Sequence, residues 1–400
     1  MRTETKDNKT ILYLEGRISS DNAGALQKEI EQALSAAPDT EPVMDATDLE
    51  YISSAGLRVL LQLAKQRGGS LTVQNVSSAV YEIFEMTGFT DILNVRKKMR
   101  EFSVEGCELV GRGAIGTVYR VDEDTIVKVY EIPDAIPMIE NEQKRAKQAF
   151  LKGIPTAISY DIVKVGDKYG SVFELIKAST FNDLMIREPE KRDELIRQYA
   201  GLMHQIHATE AEKGELPEAK TVFLSYLEQV KDVLGGELYE TLHARISGMK
   251  ENLHLIHGDI QMKNVMMSDG EPLLIDMDTL STGDPVFDLM GVYLTYVQFG
   301  EDDPANTMEF LGLPQDVCKN IWEKTIAYYF EGCTPEEIED AKRRIRLIST
   351  VRFLFLLHVL NIGKPELKQI RTEHAVVFLR ETVELVDSPE VGGLLKNGTT

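Results

Sequence analysis

Cysteine is scarce in this 400-residue chain: Cys107, Cys318 and Cys333 cannot all pair with one another, and none stands in a CxxC motif. They read as reduced thiols of a cytosolic protein, which sets aside a disulfide framework or a zinc site. Basic residues are also in short supply. Lys and Arg number 44 against 65 Asp and Glu, a net charge of −21 with histidines neutral. Phosphate backbones and anionic lipid surfaces are held by clustered Lys and Arg, so neither nucleic acid nor a membrane is expected as a partner. Long apolar runs are missing as well, since residues 353–357 fall far short of a membrane span. The opening MRTETKDNKT lacks the apolar centre of a signal peptide. These absences together describe a soluble, cytoplasmic protein.

What is present is an ordinary globular balance, 43% apolar and 27% charged, over a length that suits two domains or more. The charge is unevenly spread. Residues 1–100 hold 12 Lys/Arg against 14 Asp/Glu, whereas residues 101–400 hold 32 against 51, a net of −19. The basic cluster at residues 96–100, read as a solvated charged edge, marks the seam. We therefore expect two domains, 1–100 and 101–400, joined by a short connection.

In the first part, Ile11 and Tyr13 before Gly16 suggest a strand with those two side chains inward. Residues 25–34 carry Leu26, Ile30, Ala33 and Leu34 on one helical face. Residues 42–46 and 71–73 read as strands; Leu57, Leu60, Leu61 and Ala64 recur at helical spacing after Ser53-Ser54, as do Val80, Ile83 and Phe84 further on. Alternating strands and helices imply an open α/β sheet with helices packed on it. Asp45 and the run Tyr51-Ile52-Ser53-Ser54-Ala55-Gly56-Leu57 resemble the central loop of STAS domains, the fold of anti-sigma-factor antagonists. The resemblance implies a regulatory module with a protein partner, and places the family's regulatory serine on Ser54. Asp21 falls on a neighbouring acidic position, while Ser53 stands where regulated members often carry Asp. Ser54 has two physical readings: an N-cap hydroxyl for the following helix, or a phosphoacceptor at a helix N-terminus that favours a dianion.

In the second part, Gly111, Gly113, Gly116 and Val118 spell GxGxxGxV. In a dinucleotide-binding unit such glycines open a helix. Here Val118, Tyr119 and Val121 follow, then the turn at 122–124, then Ile126, Val127 and Val129. That is a hairpin with the glycines in its first strand, able to fold backbone over nucleotide phosphates. Lys128 lies among the valines of the second strand, where its ammonium can meet α- and β-phosphates. A helix is expected over 137–151 with Ile139, Glu142, Ala146, Ala149 and Phe150 on one face. A carboxylate on such a face needs a partner, which makes Glu142 the mate of Lys128, with Glu140 the alternative. Residues 172–176 form a buried strand ending at a hinge, Glu174 to Ile176, that would meet adenine through backbone groups.

The most specific signal is His257-Gly258-Asp259-Ile260-Gln261-Met262-Lys263-Asn264, followed by Asp276-Met277-Asp278 and then Gly283-Asp284-Pro285 with Asp288. Phosphoryl transfer to a hydroxyl needs a carboxylate near the attacking oxygen and oxygen ligands that fix magnesium against the phosphates. Asp259 suits the first role, Asn264 and Asp276 the second. These motifs resemble the aminoglycoside phosphotransferase and choline kinase branch of the kinase-like superfamily, over about residues 105–380. The resemblance implies a bilobal α+β domain, with an antiparallel-sheet N-lobe to about residue 176 and a helical C-lobe beyond. By the same resemblance Asp259 is the catalytic base, Asn264 and Asp276 hold Mg2+, Lys128 binds the phosphates of ATP, and His257 and Asp288 brace the loop. Asp278 is a lesser candidate for metal or substrate, and Met277 stands where relatives often carry an aromatic residue. His204 and His207, with no third ligand near them, read as surface histidines. Tyr293, Tyr296, Tyr328, Tyr329, Phe353 and Phe355 could line an acceptor pocket, although core packing accounts for most of them.

The reading is an ATP- and magnesium-dependent phosphotransferase acting on a hydroxyl of a small, amine-bearing molecule and regulated by the fused STAS module. Two alternatives stay open: a protein serine kinase acting on Ser54 or on a partner's STAS serine, and a nucleotide-binding sensor with vestigial catalysis.

Overall fold

The structure is a computed structural model that describes residues 1–395 except 7, 67–70, 114, 134 and 177. The chain divides into two compact units, Met1–Val104 with Ile162–Asp167, and Glu105–Asp161 with Lys168–Thr400. No helix among the described residues is long and apolar enough to cross a membrane.

The first unit is a five-stranded sheet in the sequence order of its strands: Thr3–Lys6, Lys9–Ile18, Glu41–Ile52, Thr72–Val76 and Asn94–Lys97. The first pair is antiparallel and the other pairs are parallel. Parallel neighbours require crossovers, and the helices Ala23–Ala36, Ser54–Gln66 and Ser78–Met86 supply three of them. The strand Lys9–Ile18 inverts the expected alternation. Thr10, Leu12, Leu14 and Ile18 are its buried side chains, and Ile11 and Tyr13 are half-buried. Both faces of this strand carry apolar residues, so alternation alone could not tell which one meets the core. Leu12, Leu14, Met44, Ala46, Leu60 and Val73 lie at the centre of that core. Arg100 and Glu101 pair in parallel with Val163 and Lys164, which is how the short segment Ile162–Asp167 belongs to this unit.

The second unit begins with antiparallel strands Glu108–Arg112, Gly116–Arg120 and Thr125–Tyr130, with Lys168–Glu174 paired to the last of them. The glycines therefore span the turn between the first two strands, and Lys128 stands on a third. The helix Ile136–Leu151 follows the hairpins, with Glu142 and Ala146 buried. Phe150 is 54% exposed rather than facing the core. From Phe181 onward the unit is helical, with Arg192–His207, Ala219–Gln229, Val286–Tyr293, Gln315–Tyr329 and Pro335–His358 gathered about one large core. Two small antiparallel pairings interrupt the helices: Val265–Ser268 with Glu271–Leu274, and Leu255–Ile256 with Ser281–Thr282. They hold the loops 257–264 and 275–280 side by side. The α/β first part and the sheet-then-helix second part are the architectures expected from sequence.

Candidate active site

The strand register explains why a lysine among valines points inward. Gly111 is paired with Val118, Val118 with Lys128, and Lys128 with Ser171, so these four form one row across the sheet. Residues in such a row share a face. Gly116 is needed for a steric reason: a Cβ there would lie 2.6 Å from the Val129 carbonyl oxygen, whereas one at Gly111 would meet nothing. Gly113 donates its N–H to Gly116 O at 2.9 Å and tightens the turn; Ala114 lies outside the described residues.

Lys128 Nζ donates to Glu142 Oε1 at 3.2 Å and to Asp276 Oδ1 at 2.8 Å. Burial opposes its charge, but the Glu142 and Asp276 carboxylates outweigh burial and raise its pKa. Glu142 also accepts from Tyr130 OH at 2.6 Å. Glu140, the alternative partner, is exposed. The same helix reaches the site a second time through Arg145, whose guanidinium donates to the Asp278 carbonyl.

Asp259 is held by two side-chain amides. Asn264 Nδ2 donates to its Oδ2 at 3.0 Å and to its carbonyl at 2.9 Å, and Gln261 Nε2 donates to Oδ2 at 3.1 Å. Burial pushes the Asp259 carboxyl upward. Gly258 (φ +86) is a position for glycine alone, because a Cβ would lie 2.8 Å from both Thr279 Cβ and Thr279 O. Asp276 also adopts a left-handed backbone, φ 64, which in a residue other than glycine stores strain of the kind found at functional sites.

Beneath the loop, Asp288 accepts from His257 N at 2.8 Å and Gly258 N at 2.6 Å, so it braces the turn. It also accepts from His207 Nε2 at 2.9 Å, and His207 Nδ1 lies 2.6 Å from Tyr329 OH. Burial opposes the charge of Asp288, and the His207 contact and the backbone donors outweigh it, lowering its pKa. His207 is thus not a surface histidine: it is 3% exposed, and His204 stacks on Tyr329. Its partners lie 81 and 122 residues away, beyond the reach of helical spacing. His257 Nε2 reaches Ile275 O at 3.1 Å and joins the two loops. Asp284 accepts from Val286 N, Val391 N and Gly392 N, each at 2.9 Å.

Glu174 lies at the exposed end of its strand, and the Ile176 carbonyl accepts from Ala178 N at 2.8 Å. Met277 is buried. Of the tyrosines and phenylalanines named above, Tyr293, Tyr296, Tyr329, Phe353 and Phe355 are core residues and Tyr328 is half-buried.

Among the described residues, no three His, Cys, Asp or Glu side chains are grouped to hold a metal ion by themselves. Magnesium asks for less, one or two carboxylates together with phosphate oxygens. Glu142 and Asp276 pair with Lys128, Asp278 lies near Arg145, and Asp259 is near enough to Asp276 and Asp278 to interact with their charge. Burial, with Asp276 and Glu142 alongside, pushes Asp278 up to about 6. Such a surplus of negative charge beside the Asp276 carboxylate and the Asn264 amide fits a divalent cation.

In the first unit, Ser54 is exposed at the start of its helix. The capping hydroxyl belongs to Ser53, whose Oγ accepts from Gly56 N at 3.4 Å, and not to Ser54.

A nucleotide-type glycine turn, a paired lysine and the Asp259–Asn264 loop on a sheet-then-helix scaffold define a kinase-like phosphotransferase fold. Residues 106–312, more than half of the chain, match the phosphotransferase enzyme family, and residues 1–95 match the family described as Mlab, STAS domain. The chain belongs to the phosphotransferase enzyme family and carries a STAS domain at its N-terminus. A Bordetella bronchiseptica protein named as an anti-sigma factor antagonist, BtrV, is 38% identical over 92 residues, covering 22% of this chain and 78% of that protein. The ADP-bound aminoglycoside phosphotransferase APH(2'')-Ib is 15% identical, covering 78% of this chain and 98% of its own, with a TM-score of 0.47. A choline/ethanolamine kinase family protein from Mesorhizobium loti is 14% identical, covering 72% and 92%, with a TM-score of 0.45.

Proposed function

We propose that residues 101–400 transfer the γ-phosphoryl group of ATP, with magnesium, to a hydroxyl of a small, amine-bearing molecule, and that residues 1–100 regulate them through a protein partner. The observation that carries this reading is the convergence of Lys128 with Glu142 and Asp276. In this reading Gly111, Gly113, Gly116 and Val118 cover the triphosphate, and the backbone from Glu174 to Ile176 meets the base. Lys128 contacts the α- and β-phosphates, and Glu142 keeps its ammonium in place. Asn264 and Asp276 are the oxygen donors for magnesium, which when bound offsets charge on the phosphates. Asp259 orients the acceptor hydroxyl and takes its proton as the new oxygen–phosphorus bond forms and the bond to the ADP oxygen breaks. A carboxyl raised by burial suits that proton transfer. The net of −19 over residues 101–400 attracts cationic acceptors, and the scarcity of cysteine, three in 400 residues, supports a cytoplasmic setting.

The exposure of Ser54 at a helix N-terminus favours a second reading, in which the acceptor is a STAS serine, Ser54 or its counterpart in a partner. The test incubates the full chain with labelled ATP, magnesium and a set of amine-bearing alcohols. Label on an alcohol, lost in Asp259→Asn while ATP still binds, is expected. Label on the chain that disappears in Ser54→Ala supports the second reading. ATP binding with no transfer under either arm refutes both and leaves a nucleotide sensor.

A further inference from the structure

Gln261 stands two residues after Asp259, and its Nε2 donates to both carboxylate oxygens, at 3.1 and 3.4 Å. Charge fixes this orientation, because a reversed amide would turn its oxygen toward the carboxylate. The far end of the amide, Oε1, is buried and has no hydrogen-bond partner in the protein. The side chain is therefore steadied at the Asp259 end only, and its direction depends on its own backbone.

That backbone is fixed on both sides. The peptide joining Ile260 to Gln261 accepts, at the Ile260 carbonyl, a hydrogen bond from the Tyr199 hydroxyl. The peptide joining Gln261 to Met262 donates, from Met262 N, to Tyr296 OH at 3.0 Å. Both phenols are fully buried, and so are the Ile260 and Met262 side chains that flank the glutamine. Tyr199 comes from the helix Arg192–His207. Tyr296 comes from a π-helical turn, Leu294–Gln298, that follows Val286–Tyr293. Such turns are rare and change the direction of the side chains they carry. Here the turn directs a hydroxyl at the one backbone N–H between the candidate base and Asn264 that a buried phenol receives.

We infer that Tyr199 and Tyr296 are positioning residues that fix the two peptide groups flanking Gln261, and that Gln261 in turn aims the Asp259 carboxylate at the acceptor. This inference rests on the phosphotransferase reading of the site. The hydroxyls touch neither nucleotide nor acceptor, so their effect should pass through Gln261.

A double-mutant cycle on the full chain tests it, with magnesium-ATP and water as the acceptor, so that ADP and phosphate are read directly. Gln261→Ala and Tyr296→Phe are each expected to lower kcat roughly 10-fold with KM for ATP changed by less than about 2-fold. In the Gln261→Ala background, Tyr296→Phe is expected to cost less than about 2-fold more, because neighbours in one network are not additive. Hydrogen exchange of a peptide covering 258–264 should quicken in Tyr296→Phe, a readout independent of turnover. Tyr199→Phe serves as the parallel variant if Tyr296→Phe does not fold. Losses in kcat that multiply in the double variant, or an unchanged kcat in both tyrosine variants, overturn the inference. Asp259→Asn separates the two levels. If it hydrolyses ATP as fast as the wild type, the reading of the site fails and the inference with it. If it abolishes hydrolysis while both tyrosine variants keep full kcat, the inference alone fails.

Discussion

Lys128 and Asp276, 148 residues apart in sequence, meet at 2.8 Å, and Glu142 accepts from the same ammonium at 3.2 Å. The Lys128 side chain is 15% exposed and that of Glu142 is 7%. Removing one member of a buried pair strands the other's charge. Lys128→Met should therefore destabilise the second unit by about 3 kcal/mol, and Lys128→Met with Glu142→Met should regain most of that loss. Denaturant unfolding of the three proteins checks it, and equal stability of the single and double variants contradicts it.

Gly258→Ala is expected to be worse than its size suggests. The new methyl would meet Thr279 at 2.8 Å on a backbone of φ +86. Left-handed strain and the clash add, so a loss of at least about 2 kcal/mol is expected, together with loss of transfer activity. Thermal unfolding and the labelled-ATP assay report the two effects separately. Asp288, which accepts the Gly258 N–H, cannot absorb the shift because His257 N and His207 also depend on it.

Asp45 should make the first unit acid-sensitive. Burial alone would raise its pKa, but donors on Thr47, Gln74 and Asn75 outweigh burial and lower it from 3.8. A carboxyl with a lowered folded pKa contributes stability above its unfolded value, and that contribution is lost as pH falls through the folded value. Asp45→Asn removes the charged acceptor, at a cost of about 1–3 kcal/mol near neutral pH. The gap between wild type and variant should narrow below pH 3.8. Urea unfolding of residues 1–104 within the full chain, followed by probes in that unit, measures it.

Ser53 and Ser54 should behave differently although they are adjacent. Ser53→Ala removes the cap on Gly56 N and should cost about 1 kcal/mol. Ser54→Ala is expected to stay within about 0.5 kcal/mol, as an exposed substitution in the first turn. Equal losses at the two positions would show that the cap is misassigned.

The kinase-like motifs were legible because their spacings are short and local. His257 to Asn264 is one loop, and the row of Gly111, Val118 and Lys128 follows from two hairpins. Glu142 could be inferred because a carboxylate on an apolar helical face needs a partner. Other features needed the assembled core. Nothing near His207 in sequence points to Asp288 or Tyr329, and nothing near Tyr296 points to Met262. The inward face of Lys9–Ile18 is not legible in the sequence, because Ile11, Leu12, Tyr13 and Leu14 are all apolar. Where both faces are greasy, periodicity carries no sign, and packing alone decides.

Asp284 ties the motif after the metal-ligand candidates to residues more than a hundred positions further along the chain, Val391 and Gly392. Its carboxylate, 4% exposed, takes two of its three backbone donors from Val391 and Gly392. A chain trimmed at residue 388 would keep every motif of the candidate site yet leave that carboxylate with one backbone donor, Val286 N. Shortened versions made for expression should for this reason misfold or aggregate even though no residue of that site is missing.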